Sequence, residues 1–114
     1  MEVIDGHNNR VKVCLIEMIG TGMLVLAINF GSKSGSSLVL FQAEAISLTL
    51  FLLAFSLGPI SGGHFNPAVT VAVLIKEGKK NYAKNFGYAV QIILSQLLGA
   101  LGGCLLTLLG LTYS

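Results

Sequence analysis

Apolar residues run in three long blocks along the chain, and polar residues gather between them. The first block, Val13–Phe30, is broken only by Glu17, Thr21 and Asn29. The second runs from about Leu38 to Leu57, and the third from Phe86 to Leu111. A helix rises about 1.5 Å per residue, so each block can cross a hydrocarbon core of about 30 Å. The pattern therefore predicts three membrane-spanning helices, near 13–30, 38–57 and 86–111. Between the second and third lies a different texture, residues 58–75, in which glycines and polar residues lead into a short apolar run.

Composition agrees with that reading. Hydrophobic residues make up 54% of the chain and charged residues 11%, against roughly 25% charged in a soluble domain. This is the balance of an all-α membrane protein. The 114 residues accommodate one small domain of three spans and leave no room for a separate soluble one. The first block is longer than the apolar core of a cleaved signal peptide and no A-x-A-like site follows it, so it is expected to be retained. Cys14 and Cys104 both fall inside apolar blocks, which supports neither a disulfide framework nor a zinc site. The chemistry implies no metal and no cofactor. Nothing in it points to a nucleic acid, and the expected surroundings are a lipid bilayer.

The basic residues orient the spans. Arg10 and Lys12 precede the first, while Lys76, Lys79, Lys80 and Lys84 lie between the short run and the third. Only Lys33 sits in the first connection, Gly31–Ser37. By the positive-inside rule, the polar N-terminal segment 1–12 and the Lys76–Lys84 loop are expected on the cytoplasmic side (the matrix side in an organelle). The first connection and the C-terminus then fall on the opposite side. The lysines are also suited to anionic headgroups, but topology alone accounts for them.

The central stretch carries the chemistry. Gly58-Pro59 is expected to end the second span, and Ser61-Gly62-Gly63 cannot continue a helix cheaply. Asn66 is a strong N-cap residue, and Pro67 suits the first helical position, where no N–H is required. A short helix should therefore start at Asn66 and run through Ile75, reaching about 15 Å, half the hydrocarbon thickness. Both of its flanks lie on the inner side, so the segment 58–75 must enter the membrane and leave on the same face. Such a re-entrant half-helix places its N-terminus near the midplane, and irregular backbone is tolerated there only against protein or a water-filled path.

That N-terminus carries unpaired N–H groups and roughly half a positive elementary charge. The side-chain oxygen of Asn66 is expected to accept from the N–H of Val69, which leaves its NH2 free to donate. A fixed donor beside a positive dipole end attracts the oxygen of water or a polyol and repels cations and protons.

Residues Gly58-Pro59-Ile60-Ser61-Gly62-Gly63-His64-Phe65-Asn66-Pro67-Ala68-Val69-Thr70 resemble the first Asn-Pro-Ala loop of the aquaporin and aquaglyceroporin family, the major intrinsic proteins. Glu17-Met18-Ile19-Gly20-Thr21 is similar to that family's first-span Glu-x-x-Gly-Thr. Gln96-Leu97-Leu98-Gly99-Ala100 is similar to its third-span Gln-x-x-Gly-Ala. The three occur in family order and spacing, so the resemblance covers the chain from Val13 onward.

The resemblance implies a selective channel for water or small uncharged solutes, and complete channels of this kind form tetramers. It implies that Asn66, Pro67 and Ala68 form the pore signature and that His64 faces the cytoplasmic half of the path. The carbonyls of Gly62, Gly63, His64 and Phe65 match an acceptor ladder. Glu17 and Gln96 resemble polar residues that hold the loop backbone. Glu17 as a proton relay is the sharper alternative, but one carboxylate without a second makes no relay. His64 as a plain buried histidine stays open, and a metal there would lack a second ligand.

Two departures matter. The second-span position that is usually a bulky aromatic in orthodox water channels is Ile46, which implies a wider or more apolar constriction; Phe41 or Phe51 would take its place in a shifted register. Glu44 stands close by, expected at the outer end of the span. The larger departure is that only one repeat of a six-span, two-repeat fold is present here, with a single Asn-Pro-Ala. One half cannot enclose a pore, and a second copy inserted upside down is opposed by the charge bias. The expectation is therefore half of a channel, completed by an inverted second half. The alternative is a non-conducting structural subunit among other membrane subunits. No nucleophile, base and acid can be assembled into an enzyme. Ser95, Gly99 and Gly103, every fourth residue of the third span, offer a face for close helix approach.

Overall fold

The structure, a computed structural model, describes residues 7–32 and 39–112. They form four helices: α1 (His7–Ser32), α2 (Val39–Ser61), α3 (Pro67–Glu77) and α4 (Tyr82–Thr112). The described residues contain no strand. Three of the helices are long and apolar enough to cross a membrane, over Asn9–Gly31, Val39–Ser61 and Tyr82–Gly110. Residues 1–6, the connection 33–38 with Lys33, and the C-terminal 113–114 lie outside the described residues.

α1 is the organising element. It packs against both α2 and α4, α3 packs on α4, and α2 and α4 do not meet. The α1–α4 contact is made through glycines. The Cα of Gly99 lies so close to the main chain of Met18 that a Cβ there would collide with the Met18 carbonyl. A Cβ on Gly22 would stand 2.9 Å from the Gly99 oxygen, and one on Gly103 would meet Gly22. Backbones in such contact gain dispersion and exclude lipid, the usual means of association between apolar helices. Gly99 and Gly103 therefore act as the sequence pattern suggests, whereas the Ser95 hydroxyl bonds the Gln91 carbonyl of its own helix at 2.9 Å.

Polar and aromatic contacts secure the two ends of this pair. Toward one end Asn29 Nδ2 donates to Thr107 Oγ1 at 3.2 Å, and Thr107 in turn donates to the Gly103 carbonyl. Toward the other, Val13, Tyr88 and Ile92 form a buried cluster. The Arg10 guanidinium lies 5.4 Å from the centroid of the Tyr88 ring, a cation–π distance. By contrast, α2 buries only Leu53 and Ser61.

Two local expectations are corrected. α2 does not end at Gly58-Pro59 but runs through Pro59 to Ser61. Its last turn is closed by the Gly62 N–H on the Gly58 carbonyl at 2.8 Å, and Ser61 is anchored on Glu17. A tertiary anchor thus outweighs the tendency of proline to stop a helix. In α3 the Asn66 side chain accepts from Ala68 N at 2.8 Å, not from Val69. Asn66 is extended, with φ −157° and ψ 126°, and its short side chain reaches the second helical N–H, one of the two ordinary capping targets. The 11 residues of α3 amount to about 16 Å. Gly78, at φ 72°, caps the C-terminus with its N–H on the Ile75 carbonyl.

Candidate functional site

The residues between α2 and α3 form an irregular loop whose backbone no ordinary side chain sequence would hold. Gly62 and Gly63 have φ of +96° and +66°, and Phe65, without a glycine's freedom, has φ of +46°. A bulky residue in that region is strained by on the order of 1–3 kcal/mol. Phe65 is nonetheless only 2% exposed, and its ring fills the space left by the missing side chain of Gly20 on α1. Any Cβ at residue 20 would overlap that ring.

The opposing hold is electrostatic. Glu17 is completely buried, and its carboxylate accepts four hydrogen bonds. Oε1 receives Ser61 Oγ at 2.7 Å and the His64 N–H at 3.0 Å. Oε2 receives the Phe65 N–H at 2.6 Å and Gln96 Nε2 at 3.0 Å. An ionised carboxylate has about four acceptor positions, so all are filled. Ser61 Oγ accepts in turn from the Gly63 N–H at 3.1 Å. A charge in an apolar bundle is costly unless so paired, and here its partners are the loop's own amides.

Every loop N–H from Gly62 to Phe65 is therefore turned toward protein. Among the described residues, nothing donates to the carbonyls of Gly62, Gly63, His64 or Phe65. Asn66, by contrast, is exposed, as are Gly62 and Ala68, while Pro67 is half-buried. With Oδ1 of Asn66 engaged by Ala68 N, its Nδ2 has no acceptor among the described residues. What the loop retains for other partners is a set of acceptors followed by one oriented donor at a helix N-terminus.

Gln96 reaches Glu17 and Thr70 rather than the loop amides. Thr70, completely buried, lies 3.1 Å from His64 Nδ1. His64 is half-buried. Glu17, His64, Phe65, Thr70 and Gln96 thus form one cluster, placed near the midpoints of α1 and α4. Ile46 is half-buried on α2, some four turns or about 22 Å along the helix from Ser61, and so does not join it. Phe41 and Phe51 are exposed, the latter stacked on Phe55 with ring centroids 6.1 Å apart; Glu44 is exposed as well. No group of three His, Cys, Asp or Glu side chains suited to a metal occurs among the described residues.

The sequence alone assigned no role to three residues that hold this loop and its cluster, Thr70, Ser61 and Gly20. Thr70 carried a signal, since it is the lone polar residue in α3 before Lys76 and stands one turn after Asn66. Ser61 and Gly20 carried none by type alone, because their roles depend on what another helix brings against them.

The Major intrinsic protein family model matches residues 6–114. The chain is 35% identical over 102 residues to "Aquaporin-8" of Mus musculus, covering 88% of this chain and 37% of that one. It is 39% identical over 87 residues to "Glycerol uptake facilitator protein-like 6" of Lactiplantibacillus plantarum, covering 76% and 38%. Against the "Lens fiber major intrinsic protein" of Gallus gallus it is 35% identical over 96 residues, covering 81% and 34%. The match spans little more than a third of the length of these curated relatives. No solved structure matches. A buried carboxylate gathering the amides of an Asn-Pro-Ala loop between apolar helices, and a family match over nearly every residue, lead to one conclusion: this integral membrane chain belongs to the major intrinsic protein family.

Proposed function

We propose that the chain is half of a transmembrane channel for the passive movement of water or small uncharged solutes, completed by an inverted second half. One observation carries this reading: the loop's amides are consumed by Glu17, Ser61 and the Gly58 carbonyl, while four carbonyls and the Asn66 amide are left for other partners. A row of acceptors leading to a donor at a positive helix end suits a neutral molecule that both donates and accepts. It disfavours a cation at the donor.

In this reading Gly62, Gly63, His64 and Phe65 supply the acceptor row, and Asn66, set by Pro67 and Ala68, supplies the donor. Glu17 and Gln96 act behind them as supports, and Ile46 belongs to the outer constriction. α3 is the re-entrant half-helix, with its N-terminus at the midplane and Lys76, Lys79, Lys80 and Lys84 on the cytoplasmic side, together with Arg10 and Lys12. The exposed face around Asn66 and Ala68 receives the inverted half. Similarity to an aquaporin and to a glycerol uptake facilitator supports both water and small polyols as solutes.

Stopped-flow light scattering tests the reading. The chain is purified from its native membrane with its assembly intact and reconstituted into vesicles. Osmotic shrinkage well above that of protein-free vesicles is expected, with a separate glycerol gradient distinguishing the solutes. Shrinkage at the lipid rate in both gradients overturns the reading and leaves a non-conducting structural subunit.

A further inference from the structure

Thr70 sits at a branch point of the buried cluster. Its Oγ1 has Gln96 Nε2 at 3.0 Å, His64 Nδ1 at 3.1 Å, the Asn66 carbonyl at 3.3 Å and Gln96 Oε1 at 3.5 Å. The directions of these bonds follow from Glu17, each of whose oxygens already accepts a main-chain N–H, from His64 and from Phe65. Gln96 Nε2 stands 3.0 Å from Glu17 Oε2. The opposite orientation of the amide would set oxygen against an oxygen that already accepts from Phe65. Gln96 therefore gives one N–H to Glu17 and the other to Thr70.

Thr70 Oγ1 is thus an acceptor toward Gln96 and must place its own proton elsewhere. The Asn66 carbonyl, which takes the Thr70 N–H at 3.1 Å on one lone pair, offers the other at 3.3 Å, and Gln96 Oε1, at 3.5 Å, lies at the limit of hydrogen bonding. His64 Nδ1 is nearer than either, and no other bond to it is made among the described residues. A nitrogen that accepts carries no proton, so the proton of a neutral imidazole resides on Nε2.

We propose that Thr70 is a positioning residue that holds His64 in the Nε2–H tautomer, the polarity being passed from Glu17 through Gln96 and Thr70. The His64 main chain is fixed independently by its N–H on Glu17 Oε1. Nε2 lies beside Gly62, where a Cβ would stand 3.4 Å from it, and Gly62 is exposed. The cluster therefore sets an N–H donor beside the exposed Gly62. What that donor does rests on the channel reading: it offers a hydrogen bond to the oxygen of a passing water or alcohol. The tautomer itself does not depend on conduction.

Nitrogen-15 solid-state NMR of the full chain, histidine-labelled and in lipid bilayers with its assembly intact, tests the assignment. The His64 signals are those lost in His64→Gln, which separates them from His7. At neutral pH, His64 is expected to show a protonated Nε2 and a bare Nδ1. Thr70→Val is expected to shift the ratio of tautomers toward Nδ1–H by roughly five- to tenfold, the effect of one ordinary hydrogen bond. Thr70→Ser, which keeps the hydroxyl, is expected to retain the wild-type ratio. A protonated Nδ1 in the wild type, whether in the other tautomer or in an imidazolium, overturns the proposal. So does a Thr70→Val ratio equal to the wild type's. Where Thr70→Val does not fold, the wild-type and Thr70→Ser spectra decide the matter alone. A chain with the Nε2–H tautomer that does not conduct overturns the channel reading only, and a conducting chain with Nδ1–H overturns this one only.

Discussion

The two sides of the loop between α2 and α3 are built on opposite terms. On the inner side Glu17, Phe65, Thr70 and Gln96 are at most 2% exposed, and the donors facing them are matched to acceptors. On the outer side Gly62, Asn66 and Ala68 are exposed, with carbonyls and an amide uncommitted among the described residues. The contrast teaches how a chain can present polar backbone in an apolar setting. The inner contacts fix the loop's conformation, strain included, so that the outer groups hold their directions without bonding one another. Preorganised dipoles of this kind act on a partner without the cost of reorganising at the moment of contact.

The largest break in that contrast is expected at Glu17. Glu17→Ala removes the acceptor for Ser61, His64, Phe65 and Gln96 together, at about 1–3 kcal/mol for each buried donor left unpaired. Loss of the loop's structure is the expected outcome. Rapid hydrogen exchange at the Phe65 amide would register it, and persistent protection there would refute the account of the clamp.

Next comes the glycine contact behind the clamp. Gly99→Ala places a methyl against the Met18 main chain, which no rotamer can relieve, and a destabilisation of about 1–3 kcal/mol is expected for such overpacking. Gly102→Ala, three residues on, meets nothing within 4 Å. There the better helix propensity of alanine is expected to leave stability unchanged or raise it by up to about 1 kcal/mol. Equilibrium unfolding of the two variants in detergent mixtures compares them, and equal effects would remove the special status of Gly99.

A smaller loss of stability, and the sharpest test of the contrast, lies on the outer side. Asn66→Ala deletes the cap on Ala68 and is expected to cost about 1 kcal/mol. The loop stays clamped from within, so protection of the Phe65 amide is expected to survive while the vesicle shrinkage rate falls. Collapse of both together would show that the two sides are not separable.

Much of this was legible in the chain. Three apolar blocks specified three long helices, because spanning a membrane requires internal satisfaction of every backbone group and helices do so locally. Asn66-Pro67 marked the start of α3 for an equally local reason, the cap and the tolerated proline. The local reading failed at Pro59, where the helix continues because Ser61 is held by a residue 44 positions away. It chose Val69 rather than Ala68 as the capped amide, a difference set by the extended geometry of Asn66. Residues such as Thr70 and Gly20 drew little notice, because a threonine or a glycine acquires meaning only from the side chain set against it.

The sequence by itself determined the membrane class, the helices and the family, since these depend on hydropathy over some twenty residues and on short contiguous motifs. The tertiary structure decided which groups face each other: that Glu17 meets four donors from two other parts of the chain, and that Thr70 connects Gln96 to His64. It also decided that a phenylalanine occupies the place of a missing Cβ on another helix. Those pairings join residues as far apart as 79 positions, a separation over which no local periodicity persists. They follow only once glycine-lined helices approach closely enough for a single buried carboxylate to be shared among them.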